Sequence, residues 1–65
     1  MTFGKNLKEL REKAGISQSE LAEAIGISQP AIWQLEAGET NPRLITIKAL
    51  ANYFGTTVKE LKGES

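Results

Sequence analysis

Cysteine, histidine and aspartate are all absent from the sequence. Without cysteine there are no disulfides and no thiolate metal sites, and the redox compartment is unmarked, although a cytosolic protein fits. Without histidine the commonest general base and most zinc chemistry are missing, and without aspartate hard cations lose a usual ligand. No apolar run approaches the length of a membrane span. The stretch from Met1 to Lys13 alternates charged and apolar residues and lacks the core of a signal peptide. A soluble, cytoplasmic chain without cofactor or metal is therefore expected. Excess charge is missing too, since eight acidic residues balance eight basic ones. Neutrality counts against indiscriminate nucleic-acid binding, which rests on neutralising phosphates. It is compatible with specific binding, where the local distribution of charge matters more than the sum.

What is present is 65 residues, enough for a single domain with a marginal core. The apolar pattern predicts an all-α fold, a compact bundle of five short helices. Phe3, Leu7, Leu10 and Ala14 share one helical stripe, with Lys5, Lys8, Glu9, Glu12 and Lys13 on the other face. Gly15 suits a left-handed stop, and Ile16 can fold back on the helix it ends. Ser17 and Glu20 have the spacing of a capping box. It opens a second helix with Leu21, Ala22 and Ile25 inward, which Gly26 breaks. Ser28 caps a third helix, whose first turn tolerates Pro30, and Gly38 ends it. Glu39 to Pro42 reads as a loop. Leu44, Ile47, Leu50, Ala51 and Phe54 make a fourth stripe stopped by Gly55. Thr57 and Glu60 form a second capping box before a last short helix with Leu61 inward. Gly63, Glu64 and Ser65 read as a frayed tail. The expected core is Leu7, Leu10, Leu21, Ala22, Ile25, Ile32, Leu35, Leu44, Ile47, Leu50, Phe54 and Leu61.

The segment from about residue 17 to 37 carries the functional signal. Two helices of about eight residues, joined by a tight turn containing Gly26, form a helix-turn-helix arrangement. Ala22, small at the fifth position of the first of these helices, allows a close crossing. Ile32 and Leu35 fix the second helix on the core and leave its other face free for a groove about as wide as a helix. The matching residues extend well beyond this motif. They are Leu7-Lys8-Glu9-Leu10-Arg11, Gly15-Ile16-Ser17-Gln18, Glu20-Leu21-Ala22, Ile25-Gly26-Ile27-Ser28-Gln29, Ile32, Leu35-Glu36, Gly38, Asn41-Pro42, Thr46-Ile47, Leu50-Ala51 and Phe54-Gly55. In their order and spacing the chain resembles the Xre/Cro family of helix-turn-helix regulators, including lambdoid phage repressor amino-terminal domains. The resemblance implies a five-helix fold, binding of double-stranded operator DNA, usually as a dimer, and transcriptional control, with repression as the expected mode.

Candidate base-reading residues are Gln29, Pro30, Trp33 and Gln34. A glutamine such as Gln29 can pair with the two major-groove groups of adenine. Pro30 offers only an apolar surface, for instance to a thymine methyl. Trp33 is a large aromatic on a face otherwise expected to be wet; it either covers the neighbouring helix, meets a thymine methyl or sugar, or anchors a protein partner. Phosphate contacts are expected from Gln18, at the start of the second helix, and from Ser28, Thr40, Asn41 and Arg43. The resemblance implies that the loop after the recognition helix lies along the DNA backbone, which makes Arg43 the leading phosphate-binding cation, while Glu39 works against it. Arg11 and Glu36 resemble a structural pair that ties the first helix to the third. Gly26 and Ala22 are structural as well.

An enzyme is not expected, because no histidine can activate the serines and each serine has a capping or surface explanation. Two rival readings share the fold. One is a protein-interaction module that has lost DNA binding, toward which neutrality, Glu39 and Trp33 all lean. The other is the DNA-binding part of an antitoxin or of a restriction-modification controller. Because one recognition helix covers only a few base pairs, a weak dimer, or a monomer that pairs on DNA, is expected. Its contact is placed near Tyr53, Val58 and Leu61. No membrane and no small-molecule substrate is implied.

Overall fold

Five helices follow one another along residues 2–63, the part of the chain that the computed structural model describes. They are α1 (Thr2–Lys13), α2 (Gln18–Ile25), α3 (Gln29–Ala37), α4 (Leu44–Phe54) and α5 (Val58–Lys62). The ends of these helices follow from local chemistry. Ser17 Oγ accepts the Glu20 N–H at 3.0 Å, and Glu20 Oε1 accepts the Ser17 N–H at 2.8 Å, so the capping box at α2 is closed in both directions. Gly26, at φ 80°, ends α2; its N–H and that of Ile27 both donate to the Ala22 carbonyl, at 2.9 and 3.0 Å. The chain thereby turns at once into α3, which Ser28 caps by accepting the Ala31 N–H at 3.3 Å.

The expected second capping box is only half present. Thr57 Oγ1 accepts the Glu60 N–H at 3.0 Å, but the Glu60 carboxylate takes the hydroxyl of Thr56 at 2.6 Å. A second hydroxyl donor next to the cap competes for the carboxylate that would otherwise reach back. The Thr56 hydroxyl above all holds the Glu60 carboxyl below the usual carboxylate range.

Leu7, Leu21, Ala22, Ile32, Leu35, Ile47, Leu50, Ala51 and Leu61 form the buried centre. Leu10, Ile25 and Phe54, expected in the core, are half-buried and pack around it. Leu44 does not belong there at all, being 58% exposed. It continues the stripe of α4 one turn before Ile47, but stands at the very first residue of the helix, where it is left uncovered. Ala14 is exposed too, because α1 ends at Lys13 and the chain unwinds into Gly15. Gly63 caps α5 in the left-handed region; the frayed tail expected at Glu64 and Ser65 lies outside the described residues.

Two ties of α1 were not foreseen. Gly4 is buried where α1 crosses the end of α3, and a Cβ there would lie 2.6 Å from the carbonyl oxygens of both Leu35 and Glu36. Only glycine permits this approach. Asn6 Nδ2 donates to the carbonyls of Leu61 at 3.1 Å and Glu60 at 3.4 Å, so one side chain satisfies carbonyls at the end of α5. Among the described residues no buried side-chain polar atom lacks a partner.

Candidate nucleic-acid interface

The two faces of α3 differ as a groove-reading helix requires. Ile32 is fully buried and Leu35 nearly so, whereas Gln29, Pro30, Trp33, Gln34 and Ala37 are exposed. The buried pair fixes the rotation of α3 about its axis, and so fixes which side chains face outward. α2 packs against α3, with Ala22 buried between them and the core.

Polar side chains at the fronts of α2 and α3 are wired together. Gln29 Nε2 donates to Gln18 Oε1 at 2.7 Å, and Gln18 Nε2 donates to Glu36 Oε1 at 3.0 Å. Glu36 also receives Arg11, with Nε on Oε2 at 2.6 Å and Nη2 on Oε1 at 3.2 Å. Arg11 Nη1 completes the set by donating to the Ile16 carbonyl at 2.9 Å. The Arg11 and Glu36 side chains are only 13% and 4% exposed. The hydrogen bond to Glu36 raises the pKa of Arg11 above its ordinary value. Arg11 and Glu36 thus join α1 to α3. Removing one partner of so enclosed a pair costs about 3–5 kcal/mol.

Other expected site residues lie on α3 and in the loops before and after it. Pro30 occupies the first turn of α3. The Ser28 hydroxyl accepts the cap bond, and its own hydrogen stays available as a donor. Thr40, Asn41 and Arg43 are exposed along the α3–α4 loop, and Arg43, the residue that precedes α4, makes no side-chain cap bond. Trp33 is 48% exposed and lines a shallow concavity with Lys8, Arg11, Gln18, Glu36 and Ala37. Lys5 and Lys8, expected on a solvated face of α1, line a second concavity beside Ala37 and Gly38. They therefore stand next to the outer face of α3. The one clue in the sequence was Gly4, which brings α1 this close.

The expected contact between copies needs correction. Leu61 is 1% exposed and belongs to the core, so it cannot meet a partner. Tyr53 stays outside at 45%, together with Leu44 and Ile45, the latter 74% exposed. Among the described residues no helix is long and apolar enough to cross a membrane, and no cluster of three acidic side chains could hold a metal.

A family model described as helix-turn-helix matches residues 7–61. The chain belongs to the helix-turn-helix family. It is 45% identical over 64 residues to an uncharacterized HTH-type transcriptional regulator of Coxiella burnetii, covering 97% of this chain and 30% of that protein. It is 41% identical over 61 residues to the HTH-type transcriptional regulator DdrOP3 of Deinococcus deserti, covering 94% of this chain and 47% of that one. The chain thus spans less than half the length of either relative. The P22 c2 repressor, solved in complex with a synthetic operator, superposes with a TM-score of 0.92 at 28% identity, covering 100% of this chain and 98% of that one.

Proposed function

We propose that this chain binds a specific double-stranded DNA operator by laying α3 in the major groove, and that it represses transcription there. The observation that carries this reading is the outer face of α3. It holds Gln29, Pro30, Trp33 and Gln34 exposed on a helix whose opposite side is locked into the core. Gln29 keeps a free carbonyl and a free N–H for a base edge, Pro30 offers an apolar surface to a thymine methyl, and Gln34 reaches a neighbouring base. In this reading Gln18, Ser28, Thr40, Asn41 and Arg43, on α2 and in the loops flanking α3, meet the phosphates that set register. Lys5 and Lys8 join them from α1. Two copies reading half-sites about one helical turn apart supply the length a genomic site needs. The open apolar surface of α4, with Leu44, Ile45 and Tyr53, supplies their contact. Such a protein works in the cytoplasm and carries out no chemical step.

The competing interaction-module reading draws on exposed Trp33 and on Glu39 beside the phosphate-binding loop. Selection of bound sequences from a random duplex library decides between them. On the selected operator Gln29→Ala loses about 1–3 kcal/mol and relaxes the choice at one base pair. Arg43→Ala weakens all sequences alike and reduces the salt slope by roughly one unit. If both variants bind the operator as wild type does, α3 does not read the groove.

A further inference from the structure

We infer that Glu36 decides which base Gln29 reads, acting through Gln18. This rests on the groove-reading assignment above and extends it to a residue that never touches DNA. The argument follows the direction of the hydrogen bonds. A carboxylate can only accept. Glu36 Oε1 therefore turns the Gln18 amide so that Nε2 faces it, at 3.0 Å, and Oε1 faces away. That oxygen can also only accept, so Gln29 must meet it with Nε2, at 2.7 Å. What Gln29 has left is its Oε1 and the second N–H of its amide, in one fixed order. This order suits adenine, whose N6 amino group donates beside the N7 acceptor. Guanine has an O6 acceptor where adenine has the amino group, and it opposes Gln29 Oε1.

An unwired glutamine amide turns over freely and presents either order. Here the turn is blocked at its far end. Arg11 donates to both oxygens of Glu36 and also to the Ile16 carbonyl, so the carboxylate cannot swing away. Glu36 is thus a positioning residue for specificity, two hydrogen bonds from Gln29 and three from the base.

The test is site selection with wild type and variants. It is followed by binding to the selected duplex and to one with guanine replacing adenine at the pair that Gln29→Ala relaxes. Wild type prefers adenine at that pair by roughly tenfold or more. In Glu36→Gln, Arg11 holds the carbonyl of the introduced amide and leaves its NH2 toward Gln18. Gln18 and then Gln29 turn over, and guanine binds as well as adenine or better. Preferences elsewhere in the operator persist. A folded Glu36→Gln protein that still prefers adenine overturns the inference. So does one whose preferences relax equally at every position, which is what mere loosening of the fold produces. If Glu36→Gln does not fold, Gln18→Leu keeps the Arg11 pair and removes the relay. Affinity then falls on all sequences, and the adenine-to-guanine ratio drops toward one; an unchanged ratio overturns the inference. A wild type that selects guanine at that pair overturns it and leaves groove reading standing. A wild type that selects no sequence removes groove reading, and this inference with it.

Discussion

Gly4→Ala sets two effects of opposite sign against each other. Alanine is better than glycine in a helix by up to about 1 kcal/mol, a figure for the interior that is an upper bound in the first turn, where Gly4 stands. Were α1 free on that side, the variant would melt higher than wild type. The structure puts the new Cβ 2.6 Å from the carbonyl oxygens of Leu35 and Glu36 and 3.0 Å from the Glu36 carbonyl carbon. These are backbone atoms at the end of α3, so no side chain can rotate away, and α1 must move off α3. Overpacking of this kind costs roughly 1–3 kcal/mol, and the rigidity of the obstacle puts it at the upper end. The net loss is about 2 kcal/mol after the gain in propensity is subtracted. For a domain of this size that lowers Tm by roughly 8–16 °C. Thermal melts followed by far-ultraviolet circular dichroism measure it. A Gly4→Ala protein that melts at or above the wild-type temperature shows that α1 does not lie against the end of α3. The placement of Lys5 and Lys8 beside the groove-reading face then falls too.

Ala22→Leu overpacks the α2–α3 crossing and costs roughly 1–3 kcal/mol, read in the same melts; unchanged stability would mean the crossing has room to spare. Trp33→Ala leaves Tm nearly unchanged. It weakens operator binding by roughly fivefold, since about half of the indole remains to be buried on contact, worth about 1 kcal/mol. Full operator binding by that variant would take Trp33 out of the DNA interface. Glu60 titrates below the usual carboxylate range, so its stabilising effect is complete above the unfolded-state pKa of about 4.3. That effect is lost as pH falls through the lower folded-state value. Thr56→Val removes the largest cause, so the Glu60 pKa, followed by NMR titration, moves up; a pKa that stays put would refute the Thr56 bond.

The sequence was most legible where structure is written locally. Ser17, Glu20 and Ser28 cap the helices that their spacing indicates, and Gly26 and Gly38 end them, because each signal acts within four residues. Ile32 and Leu35 were readable as the inward side of α3 by helical period alone. Failures occurred where the deciding partner is far along the chain. Leu44 fits the stripe of α4, but what covers a stripe is a neighbouring helix, and Leu44, the first residue of its own, is left uncovered. One failure was local instead: Thr57 and Glu60 matched a capping pattern that the adjacent Thr56 altered. Gly4 and Asn6 drew no reading from the sequence, because the reason for one is the carbonyl of Glu36 and for the other the end of α5. Gln18 and Gln29 were each identified as candidates, but their bond to one another and to Glu36 depends on how α2 and α3 cross.

On the groove-reading proposal, the same relay would let a chain with no net charge fit a polyanion. Of the groups expected at base edges, Gln29, Pro30, Trp33 and Gln34, none carries charge. Lys5 and Lys8 of α1 stand at the margin of that face, and Arg43 is exposed in the loop that follows α3. Arg11 lies closer to the relay, but its guanidinium is occupied by Glu36 and Ile16 and contributes no net charge with its partner. Each phosphate neutralised adds about −0.9 to the salt slope. Few cations therefore mean weak attachment to arbitrary DNA. Neutral amides gain little from a wrong base, and a relay that fixes their polarity makes the mismatch unfavourable. If α3 reads the groove as proposed, discrimination would rise at the base edges while non-specific attraction stayed low, and the absence of net charge would favour selectivity over grip.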